Sequence, residues 1–109
     1  MKQFEIWKFK PPGFGLAHYF VVLSSQERCS DTKALTINAL LITTLHGDPK
    51  PVQVVLDQTD GLDHRSVCQC DLIYTIQKSS VWDSAAKGNL TAPHLREIKD
   101  RLVSILRLD

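Results

Sequence analysis

Ser66-Val67-Cys68-Gln69-Cys70-Asp71-Leu72-Ile73-Tyr74-Thr75-Ile76 is the stretch on which the fold turns. It is rich in β-branched and aromatic residues and has no internal glycine or proline, so it predicts one long strand or two short ones. Cys68 and Cys70 share one strand face and read as two small buried hydrophobes rather than as metal ligands, because no second cysteine or histidine pair accompanies them. Asp60-Gly61 before this stretch reads as a turn, and Pro51-Val-Gln-Val-Val-Leu56 as a strand. His46-Gly47-Asp48-Pro49 is a further turn, which leaves Leu35–Thr43 as the strand before it.

Towards the N-terminus, residues 25–34 are polar and read as a connection. Residues 18–24 are continuously apolar after His18 and predict a buried strand. Lys10-Pro11-Pro12-Gly13-Phe14-Gly15 must be a loop, since two prolines remove donors and two glycines loosen the backbone. Residues 3–9 alternate well enough for a first strand. Towards the C-terminus, Ser79 or Ser80 is expected to cap a short helical turn near Trp82. Thr91 as N-cap and Pro93 near the first helical position open a helix. Leu95, Ile98, Leu102, Ile105 and Leu106 give that helix an apolar stripe. No strand is followed by a helix and then another strand, so no parallel crossover is expected. The chain reads as mainly β with α: five or six strands in a small, strongly bent antiparallel barrel, with the C-terminal amphipathic helix laid against it.

The length of 109 residues fits one domain, 1–109. Hydrophobic residues at 43% and charged residues at 23% exclude a disordered, collagen-like or coiled-coil chain. No apolar run approaches the ~18 residues of a membrane span. Lys2, Glu5, Lys8 and Lys10 interrupt any signal-peptide layout, so a cytoplasmic protein without membrane contact is expected. An odd count of three cysteines fits a reducing compartment. The net charge of +1 is unevenly spread, with three lysines and one glutamate in residues 1–15. Nucleic-acid contact, if present, is therefore local rather than a matter of bulk charge.

His18, His46, His64 and His94 are scattered without ligand spacing, and no metal or cofactor is expected. Gly13-Phe-Gly15 lacks the third glycine and following helix of a dinucleotide fingerprint, and no Gly-x-Ser-x-Gly elbow occurs. Two polar residues stand out by position. His18 opens an apolar strand and Thr43 closes the next; if those strands pair antiparallel, position 18 lies opposite about position 43. An imidazole titrates near pH ~6.5 and can take and return a proton. A threonine hydroxyl can donate a hydrogen bond to a developing oxyanion.

The block Ser66–Ser79, with Gly61-Leu62 before it, Leu41-Ile42-Thr43 at a strand end, Pro51-Val52 and Gly88-x-Leu90, resembles the MazF/PemK toxins of type II toxin–antitoxin modules. In that family Gly-Leu is followed by Ser-Val, two apolar residues and Cys-Asp-Gln-Ile-Arg-Thr. The resemblance implies an SH3-like, CcdB/MazF-like barrel that works as a homodimer. It also implies a metal-independent endoribonuclease that cuts single-stranded RNA by 2′-hydroxyl attack and is blocked by a cognate antitoxin. The family's arginine-proline at the second strand is His18-Tyr19 here, its threonine is matched by Thr43, and the arginine of its Gln-Ile-Arg-Thr is Tyr74. On this resemblance His18 is the general acid/base and Thr43 the hydrogen-bond donor. Lys8 and Lys10 hold phosphates, Phe14 stacks on a base, and Tyr74 lies among the RNA contacts. His64 or Arg65 is the candidate second proton-transfer group. The competing readings are a CcdB-like toxin that binds gyrase without catalysis, and a silent barrel that only binds antitoxin or RNA.

Overall fold

The apolar runs around Phe20 and Leu40 become the two central strands of one antiparallel sheet in the computed structural model, which describes residues 1–107. The strands are β1 (Glu5–Phe9), β2 (His18–Val22), β3 (Thr36–Thr44), β4 (Gln53–Leu56), β5 (Ser66–Gln77) and β6 (Gly88–Asn89). Their order across the sheet is β4-β5-β3-β2-β1-β6, and every pairing is antiparallel. The sheet curls into a half-barrel. Among the described residues two α-helices accompany it, α1 (Gln26–Ser30) and α2 (Ala92–Leu106).

The central strands carry apolar residues at successive positions because both faces of the sheet are covered. Val21, Leu40, Ile42 and Cys68 join Ile98 of α2 in one core cluster. Phe20, Val22, Ile37, Ala39 and Leu41 form a second cluster with Phe9 and Ile76 on the opposite face. Cys68 and Cys70 are buried and unbridged, as two small hydrophobes would be. In β5 both strand readings apply: it is continuous, yet its register on β3 shifts between Leu40↔Ile73 and Ile42↔Cys68. The extra residues let its first part pair with both β3 and β4.

The connection 25–34 holds α1, which the sequence reading missed because five residues are too few to show a helical period. Ser25 caps it, and Lys78 Nζ donates to the carbonyls of Arg28, Cys29 and Asp31 at 2.6, 3.2 and 2.9 Å. Ser79 and Ser80 lie inside a 3-10 turn, Lys78–Ser80, and do not cap it; Gln77 precedes that turn without a side-chain cap. The first and fourth strands begin at Glu5 and Gln53, two residues later than expected. In α2, Thr91 is the N-cap as read, accepting from His94 N–H, and Pro93 sits in the first turn. Ile98 is fully buried, while Leu95, Leu102 and Ile105 are half-buried against the same cluster. Leu106 leaves the stripe and is 46% exposed. At 3.6 residues per turn it sits roughly 80° around the helix from Ile98.

One joint fixes α2 on the sheet. Asp60 ends a 3-10 turn, Gln58–Asp60, and its buried carboxylate accepts from Asp57 N–H and Thr91 N–H, both at 3.0 Å. His94 Nδ1 lies 2.6 Å from the same carboxylate. Gly61 follows at φ 97°, a left-handed conformation that favours glycine, and packs on Gly88. A Cβ built on Gly88 would stand 1.9 Å from the Asp60 carbonyl oxygen. Gly61-Leu62 and Gly88-x-Leu90 are therefore two halves of one contact, with Leu62 and Leu90 both entering the α2-side core.

Candidate active site at the parted ends of β2 and β3

The ladder between β2 and β3 runs Val22↔Ala39, Val21↔Leu40 and Phe20↔Leu41, and there it stops. Continued, that register would set Tyr19 opposite Ile42 and His18 opposite Thr43. Instead β2 stays with β1 as far as Phe9↔His18, while β3 stays with β5 as far as Thr44↔Ser66. The two strands part, and a pocket of about 280 Å³ opens where they do. His18, Tyr19, Thr43, Asp63 and His64 are among its lining residues. The polar strand ends singled out in the sequence thus share one cavity, and His64 joins them. Arg65 lines a neighbouring hollow with Asp57, Gln58 and Thr59.

Thr43 is oriented by two amides. Gln53 Nε2 donates to Gln69 Oε1 at 3.2 Å, and Gln69 Nε2 donates to Thr43 Oγ1 at 2.9 Å. With its oxygen accepting from Gln69, the Thr43 hydroxyl keeps its own hydrogen to donate. Gln69 was not among the expected site residues. Its signal was its place between Cys68 and Cys70, since alternation turns a residue flanked by two buried ones to the other face.

An aromatic group stands beside His18. The Phe14 ring meets His18 at 5.4 Å and Tyr74 at 5.5 Å edge-on, and Phe20 at 6.0 Å tilted. Phe14, from the Pro-Gly loop, thus packs against the His18 ring, and Tyr74, from β5, backs Phe14 and Phe20. On the opposite face of the sheet Lys8 Nζ lies 5.4 Å from the Tyr19 ring centroid and Lys87 Nζ 5.9 Å. Lys87 also pairs with Asp63 at 2.7 Å. The hydrogen bond from Lys87 holds the Asp63 carboxyl below its ordinary range, and the same bond holds the Lys87 ammonium above its own. Lys10 lies farther along, its Nζ 5.3 Å from the Trp82 ring. Tyr19, Lys87 and Trp82 were missed in the sequence because their partners come from distant parts of the chain.

Among the described residues, Asp57, Asp60 and His94 have ligating atoms within 4.8 Å of one another and could hold a cation. Sequence spacing gave no sign of this trio. The Asp60 oxygens are taken up by two backbone N–H groups and His94, which makes the trio a clamp between the 3-10 turn and α2.

The fold is that of several toxin structures, each under 25% identical. An endoribonuclease solved in complex with its cognate antitoxin from Mycobacterial species superposes with a TM-score of 0.79 at 22% identity, covering 100% of this chain and 95% of that one. Mycobacterium tuberculosis toxin MazF-mt6 gives 0.78 at 22% identity, with 96% and 98% covered. A MazE–MazF structure from Deinococcus radiodurans gives 0.78 at 18% identity, with 100% and 97% covered. A comparison with curated proteins returned no match. The architecture shared with these structures is a curled antiparallel sheet with a C-terminal helix laid against it. The family model described as PemK-like, MazF-like toxin of type II toxin–antitoxin system matches residues 2–106, and the chain belongs to that family.

Proposed function

We propose that this chain is an endoribonuclease that cuts single-stranded RNA, working as a homodimer under a cognate antitoxin. The observation that carries the reading is the meeting of His18, His64 and Thr43 at one pocket, with Thr43 oriented by Gln69. Cleavage needs one proton removed and one supplied. One imidazole takes the proton of the ribose 2′-hydroxyl as its oxygen attacks the adjacent phosphorus. The other imidazole gives a proton to the departing 5′-oxygen, leaving a 2′,3′-cyclic phosphate and a 5′-hydroxyl. The Thr43 hydroxyl hydrogen-bonds a non-bridging phosphate oxygen as charge builds on it. Phe14 sets the His18 ring edge-on, Tyr74 backs Phe14, and both are RNA contacts in this scheme. The scheme uses side chains alone.

Single-stranded RNA incubated with the protein in excess EDTA should yield fragments with 2′,3′-cyclic ends. The rate should follow a bell in pH, because one imidazole works neutral and the other protonated. His18→Ala should lose roughly 10²–10⁴-fold in rate, the share of one general acid–base residue. His18→Arg restores the family residue, and cleavage retained there would show that a cation suffices at this position. Intact RNA with the parent protein, or full activity in His18→Ala, would sink this chemistry. Gyrase arrest without RNA cleavage would move the reading to a CcdB-like toxin.

A further inference from the structure

Past the pocket, basic and aromatic side chains continue in a row that crosses β1, from Tyr19 on one side to Trp82 on the other, with Lys10 one step along the strand. Tyr19 belongs to the pocket lining, and its cross-strand partner is Lys8. The Lys8 carbonyl accepts from Trp82 N–H at 2.8 Å, and Lys10 N–H donates to the Ser80 carbonyl at 2.9 Å. With the Phe9–Val81 bridge, these bonds lay residues 80–82 beside the far end of β1. They set the Trp82 ring under Lys10 Nζ. Trp82 is 58% exposed, whereas Trp7 is half-buried with its indole N–H on Glu5. Lys8 and Lys10 make no ion pair among the described residues; Asp63 is taken by Lys87, and Asp83 adjoins Trp82 in sequence.

We propose that Tyr19, Lys8, Lys10 and Trp82 form a track for the nucleotides flanking the pocket on single-stranded RNA, with a base stacked on Trp82 and phosphates at Lys8 and Lys10. The inference rests on the pocket being an RNA site. Unpaired cations alternating with aromatic rings are what a single strand requires, since every nucleotide brings one charge and one π-face. An indole left in water gains most from a flat apolar partner, and a nucleobase is one. An acidic peptide would meet the lysines equally well but has no use for the ring. The track also supplies, beside the pocket, permanent cations that His18 does not.

The Trp7→Phe variant leaves Trp82 as the sole tryptophan and reports directly on the track. Mixed-sequence oligonucleotides of all-2′-O-methyl RNA, which lack the attacking hydroxyl, are the probe. Their binding should quench Trp82 fluorescence. In the parent background Trp82→Ser should weaken binding roughly 5- to 150-fold, while Trp82→Phe should recover most of it. Lys8→Gln and Lys10→Gln should each flatten the slope of log affinity against log salt by about 0.7. Unchanged affinity in Trp82→Ser, or equal quenching by polyglutamate, would overturn the track. If native RNA stays intact while the Trp82 dependence holds, the cleavage chemistry fails and the track stands. If RNA is cut while Trp82→Ser binds as the parent does, the track fails alone.

Discussion

Asp60 and Asp63 stand three residues apart, and each meets a basic partner at almost the same distance: His94 at 2.6 Å and Lys87 at 2.7 Å. Their surroundings differ completely. The Asp60 side chain is fully buried and also holds two backbone N–H groups, one from each element that it joins. The Asp63 side chain is 72% exposed and its partner's 26%. Removing Asp60 would strand donors away from water, whereas removing Asp63 would return its partner to solvent. One pair holds the fold and the other dresses the rim of the pocket; burial, and not distance, separates the two roles.

The contrast can be broken from either side. Asp60→Ala should have the largest effect, a loss of about 3–5 kcal/mol in denaturant unfolding, as for other buried pairs cut in half. An unfolding midpoint equal to the parent's would erase the distinction. Gly88→Ala should come next, at about 1–3 kcal/mol, because the added methyl meets the Asp60 carbonyl and main chain must move to admit it. Asp63→Asn should leave the melting temperature where it is. The weak pair should nonetheless be visible in titration. Asp63 is depressed when folded, so the pair is complete above the ordinary carboxylate range and is lost as pH falls through the folded value. Lys87 is raised, so at the alkaline end the pair survives until pH climbs through the folded value of that ammonium. Following the Asp63 carboxyl by NMR, its midpoint should rise in Lys87→Gln. An unmoved midpoint would show that the pair does not form in solution.

How far the sequence could be read follows the range of each interaction. The antiparallel character of the sheet, the polar strand ends His18 and Thr43 and the Thr91 cap were legible, because each rests on local pattern and turn chemistry; the order of the strands was not. The family block around Ser66–Ser79 was legible as well. The helix α1 and the strand β6 were not: one spans five residues and the other two, and tertiary partners hold both, Lys78 for α1 and β1 for β6. Within the site, His18 and Thr43 announced themselves as polar residues closing apolar runs. Gln69, Tyr19 and Lys87 act through partners 26, 11 and 24 residues away, and no local pattern shows such a pairing. Between the two neighbours His64 and Arg65, both open as candidates in the sequence, local pattern could not show that His64 lines the pocket and Arg65 the hollow beside it.

The meeting of Gly61 with Gly88 has an evolutionary corollary. Most contacts between side chains can be renegotiated, with a larger residue on one side answered by a smaller one on the other. Here both surfaces are main chain, and neither position has a side chain left to trim. A drift at one site has no compensating drift at the other. Among descendants that keep this joint, the two positions should therefore stay fixed together instead of co-varying, and methods that find contacts through correlated change would pass over the one that seats α2.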